Sequence, residues 1–88
     1  MFRIENESNE CTTRVRLSGR IRSDEIESIR TQMIEGCESV VLDLREVTLV
    51  DVAVVRFLSL CEEQGVELAH CPPYIREWIL RERAERYN

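Results

Sequence analysis

A change of hydrophobic period halfway along the chain constrains the fold more than any other feature. Val40-Val41-Leu42-Asp43-Leu44 is β-branched and almost continuously apolar, as a strand inside a sheet is. From Asp51 to about Gln64 the period becomes helical. Val54, Val55, Leu58 and Cys61 share one face, Phe57 and Leu60 widen it, and Arg56, Ser59 and Glu63 mark the other side. Gly65 stops the helix, and Val66-Glu67-Leu68-Ala69 alternates again. A strand, a helix and a strand in this order form a crossover unit, which is right-handed and makes the two strands parallel.

The first half supplies the partners. Phe2-Arg3-Ile4-Glu5 alternates, the polar run Glu7–Glu10 breaks the pattern, and Thr13–Ser18 alternates again, which reads as an antiparallel hairpin. Gly19 is expected to end the second strand. Ser23 is an N-cap candidate for an amphipathic helix over 23–35, with Ile26, Ile29, Met33 and Cys37 on one stripe and Gly36 as its stop. Arg45-Glu46-Val47 reads as the loop after the third strand. Pro73 opens a last helix whose core edge is Ile75, Trp78 and Ile79, while Arg81–Arg86 is expected to fray into solvent. The expected class is α/β: a four-stranded mixed sheet, order 1-2-3-4, with an N-terminal antiparallel hairpin and strands 2–4 parallel. Both crossover helices lie on one face, and a C-terminal helix follows. Arg3, Glu5, Arg14, Arg16, Asp43 and Glu67 then share the opposite face, left open or covered by the terminal helix, a second copy in a homodimer, or a partner.

At 88 residues the chain is expected to be one domain spanning 1–88. Hydrophobic residues make up 43%, enough for a core. The net charge of −5 argues against a nucleic-acid binder, whose affinity comes from neutralising phosphates. The N-terminus lacks the apolar core of a signal peptide, and no apolar run spans a bilayer, so a cytoplasmic protein without membrane insertion is expected. Four cysteines at wide spacing (Cys11, Cys37, Cys61, Cys71), with no C-x-x-C pair, read as reduced thiols rather than metal ligands. No metal or cofactor is expected.

In parallel α/β sheets, sites gather beyond the carboxyl ends of the strands. That rim is expected to carry Arg20 and Arg22, Arg45, Asp51 and His70. A helix N-terminus flanked by arginines favours an anion, but Asp51 as an N-cap, accepting from the N–H of Ala53 or Val54, is the preferred reading. One histidine, no nucleophile with a neighbouring base and no glycine-rich loop give catalysis little support. A structural role is preferred for the Asp43 and Asp51 pair.

The run VVLDL (Val40–Leu44), followed by an apolar approach to the single aspartate of LVDVAVVRFL, resembles the STAS domain of anti-sigma factor antagonists and of sulphate-transporter cytoplasmic domains. Leu17-Ser18-Gly19-Arg20 resembles the L-x-G stretch of that family, and Cys71-Pro72-Pro73-Tyr74-Ile75 the entry to its last helix. The resemblance implies a non-enzymatic regulatory module that binds a protein partner, either an anti-sigma, serine-kinase-like regulator or, alternatively, a transporter subunit. In the antagonists the aspartate precedes two small hydroxyl residues and a glycine, and the partner phosphorylates the second hydroxyl. Here the aspartate is Asp51, the hydroxyl positions hold Val52 and Ala53, the glycine position holds Val54, and Arg56 replaces a small residue. The resemblance therefore implies a partner surface at Asp51, Val52, Ala53 and Arg56 without its phosphate acceptor. Thr48 and Ser59 are the nearest hydroxyls.

Overall fold

The computed structural model describes residues 2–8, 12–34 and 39–86. Its elements are β1 (Arg3–Ser8), β2 (Thr12–Ile21), a 3-10 turn (Ser23–Glu25) running into α1 (Ile26–Ile34), β3 (Ser39–Val50), α2 (Val52–Glu63), β4 (Glu67–Ala69) and α3 (Pro73–Arg86). The sheet order is β1-β2-β3-β4, with β1 antiparallel to β2 and the other pairings parallel, as the change of period requires. Gly36 and Cys37, read as the end of the first helix, lie outside the described residues, as does Cys11.

One sheet face is apolar. Val15 and Leu17 of β2, Leu42 and Leu44 of β3 and Leu68 of β4 form a single core with Ile29 of α1, five apolar residues of α2, and Ile75 and Ile79 of α3. Burying one such aliphatic side chain contributes roughly 1.5–3 kcal/mol, so this shared face is the main source of stability. The terminal helix thus packs beside α2 on the helical side and does not cover the polar face. On that polar face Glu5 lies opposite Arg16 and Glu7 opposite Arg14, pairing charges across the hairpin.

Three strands run longer than the sequence patterns suggest: β1 continues through Glu7 and Ser8 of the expected break, where both pair with β2. β2 passes through Gly19 instead of ending there, and Gly19 adopts φ 82°, a left-handed conformation that favours glycine. The expected loop at Arg45-Glu46-Val47 is strand. Arg16 pairs with Asp43 but Ser18 with Glu46, and Gly19 pairs with Val47 but Arg20 with Leu49. Each step inserts one extra residue into β3, a β-bulge. Buried positions along β3 therefore change from a spacing of two (Leu42, Leu44) to three (Leu44, Val47), and the same step of three leads on to Val50, half-buried against the core. That change of spacing hides the second half of the strand from a period-two reading.

Candidate functional site

Asp51 sits between the end of β3 and the start of α2, where the chain turns from extended to helical backbone. Its Oδ1 accepts from the Val54 N–H at 3.1 Å, the N-cap bond expected of an aspartate here. Its Oδ2 accepts from the Ser23 N–H at 2.8 Å. The carboxylate thus joins the start of α2 to the turn that opens α1. The second bond crosses 28 residues of sequence. Only the parallel pairing of β2 with β3, which sets Ile21 beside Val50, makes it available.

Around this bond the β2 and β3 ends form an open groove of about 520 Å³, lined by Arg20, Arg22, Ser23, Asp24, Leu49 and Asp51 among others. A second groove of about 320 Å³, lined by Phe2, Arg20, Arg22, Asp24 and Glu25, lies on the far side of the same two arginines. Leu49 and Val52 flank Asp51 with about half their surface in water, 55% and 41% exposed. Ala53 is half-buried. The turn into α1 is held by the Arg22 N–H donating to Glu25 Oε1 at 2.9 Å.

Behind this mouth, α2 is clamped to α3. The Arg56 Nε donates to Glu82 Oε1 at 2.8 Å, and Arg76 holds Glu62 through both guanidinium arms at 2.7 and 2.8 Å. The Arg83 Nη2 adds a bond to Glu62 Oε1 at 2.8 Å, and its Nε donates to the Ser59 hydroxyl at 3.0 Å. Two arginines on one carboxylate hold Glu62 below the usual glutamate range, the Arg76 hydrogen bond contributing most. Ser59 is 2% exposed, so it is closed to modification, and Leu60 is 47% exposed rather than part of the core face. The tail expected to fray is helical to Arg86, with Glu82 and Arg83 engaged. The sequence shows Ser59 as polar and hence outward. It gives no sign that an arginine one turn past the apolar edge of α3 would reach it.

Not all the expected rim residues meet. Asp51, Val52, Ala53, Arg20 and Arg22 gather at the mouth of α2, and Arg56 lies one turn along. Arg45 and His70 do not. Because β3 continues to Val50, Arg45 is mid-strand, roughly 15–20 Å of extended chain from Asp51. Its guanidinium donates to His70 Nε2 at 3.0 Å, and His70 adopts φ 54° in the turn after β4. Beside them Asp43 is 4% exposed on the polar face, bonded to the Arg45 N–H at 3.1 Å and to Arg14 Nη2 at 3.2 Å. Burial pushes its carboxyl up, but those two donors outweigh burial and hold it below the usual aspartate range. Asp43 and Asp51 thus serve separate networks. Among the described residues no three His, Cys, Asp or Glu side chains gather as metal ligands, and burial pushes the Cys61 thiol up to about 11. No helix among these residues is long and apolar enough to cross a membrane.

The four-stranded 1-2-3-4 sheet with its helices on one face is the fold of a solved STAS domain. Among solved structures, the chain is similar to the crystal structure of an antisigma-factor antagonist STAS domain from Rhodobacter sphaeroides. The two are 18% identical, with a TM-score of 0.61 over 78% of this chain and 86% of that one. No protein-family model and no curated protein matches the sequence.

Proposed function

We propose that residues 1–88 act as one non-enzymatic docking domain, similar in role to an anti-sigma factor antagonist, that engages a regulatory protein in the cytoplasm. The contact surface in this reading is the mouth of α2: Val52 and Leu49 as apolar contacts, Ala53 beneath them, and Arg20, Arg22 and Arg56 around them. The observation that carries it is the chemistry of positions 52 and 53. The fold places a capped helix start at an open mouth, and two aliphatic residues stand where the STAS resemblance implies hydroxyls. An apolar, half-exposed helix start is suited to protein contact and accepts no phosphate at these two positions.

Titration calorimetry against purified kinase-type anti-sigma regulators tests this reading. Micromolar binding is expected, weakened about tenfold or more by Val52→Glu, which buries a charge in the contact. Leu80→Glu, on an exposed part of α3, should leave the affinity unchanged. If no regulator binds, or both variants bind as the parent does, the reading fails. Recovery with a membrane transporter from fractionated cells would replace the regulator with a transport complex.

A further inference from the structure

From the geometry of the mouth, we infer that Ser23 is a phosphate-acceptor site and that its modification releases the bond between Asp51 and the start of α1. This inference deepens the docking reading by naming a regulation of the same surface, and it rests on that reading.

Four observations meet at this residue. Ser23 is exposed and lines the open groove beside Asp51. Its hydroxyl makes no hydrogen bond among the described residues. Arg20 and Arg22, three and one residues before it, form the wall between the two grooves, and neither guanidinium is in an ion pair among the described residues. The Ser23 N–H is already held by Asp51 at 2.8 Å, so a change at its side chain is felt directly at the cap of α2.

In the reaction, the Ser23 hydroxyl oxygen forms a bond to the terminal phosphorus of a nucleoside triphosphate held by a protein kinase. The bond from that phosphorus to the bridging oxygen breaks, the nucleoside diphosphate leaves, and the hydroxyl proton passes to a base of the kinase. The product carries a charge of about −1.5 to −2 between two guanidinium groups that can pair with it. The same charge faces the carboxylates of Asp51, Asp24 and Glu25. Asp51 holds the backbone N–H of the same residue, so its carboxylate lies close to the phosphate, and like charges at that range repel. The arginines therefore draw the phosphate outward, and the Ser23 N–H leaves Asp51 with it. The carboxylate keeps Val54, so α2 remains capped while the α1 turn comes free. Ser59 does not compete, since it is buried under Arg83, and Thr48, though exposed, lines neither groove beside the two arginines.

The test has two arms. Full-length protein isolated from its own cells in several growth states is digested and mapped by mass spectrometry, where a phosphate on the peptide containing Ser23, absent from a Ser23→Ala strain, is expected. Full-length protein carrying phosphoserine at 23, installed by codon reassignment, is then compared with the unmodified chain by amide hydrogen exchange. The Ser23 amide should lose at least tenfold in protection while the Val54 amide keeps its own. A Ser23 peptide without phosphate in every growth state overturns the site, even if Val52→Glu still weakens partner binding. Unchanged protection at Ser23 in the phosphoserine chain overturns the release.

Discussion

Asp51 spends both carboxylate oxygens on backbone N–H groups from different elements, and this sets what its replacement should do. Asn keeps an acceptor for Val54 and caps helices nearly as well as Asp, whereas Ala leaves two donors without a partner. Asp51→Ala should therefore lower unfolding stability by about 1–2 kcal/mol and Asp51→Asn by well under 1 kcal/mol, read as shifts in urea midpoint at unchanged slope. Equal losses would mean that the capping bond to Val54 contributes little. Half of this residue was legible in the sequence. An aspartate ahead of an apolar period announces a cap from its neighbours alone. The bond to Ser23 depends on two strand ends meeting, and no local pattern carries that.

At the scale of elements, the α2–α3 clamp should make stability sensitive to acid. Glu62 is held below its ordinary value of 4.5 by Arg76 and Arg83. A depressed folded pKa stabilises the folded chain above the unfolded value, and the contribution disappears as pH falls through the folded one. Glu62→Gln should therefore cost stability at pH 7, by about 1–2 kcal/mol for a partly exposed bidentate pair, and much less near pH 3. Urea titrations of both proteins at the two pH values measure it, and a loss that does not change with pH would assign the effect to packing. The order of strands and helices was readable because each element writes its own period. The sides of α2 were less so: Ser59 is buried and Leu60 exposed because α3 packs against the side of α2 that carries Ser59, and hydropathy alone says nothing of where a neighbouring helix lies.

Across the whole molecule, the helices share one face of the sheet, and the other carries a lattice of paired charges in which Asp43 is nearly closed from water by its own neighbours. Arg45 and His70 belong to that lattice rather than to the mouth, a division that follows from the length of β3. The two bulges in β3 have a further consequence, which concerns parity. One extra residue inverts which side chains face the core, and a second restores it, so Ile21 and Val50 both point inward although five residues of β2 run beside seven of β3 from Arg16 and Asp43. Removing Glu46 alone takes out the extra residue of the first bulge, so Gly19 should stay paired with Val47 and Ser23 bonded to Asp51, with cooperative thermal unfolding retained. Removing Glu46 and Thr48 together should leave a regular strand and a folded chain, whereas a third deletion has no bulge to absorb it and should abolish cooperative melting, read by circular dichroism. The strand would then tolerate the loss of one or two residues at its bulges, so the spacing between the VVLDL run and the capping aspartate could shorten by either number but no further.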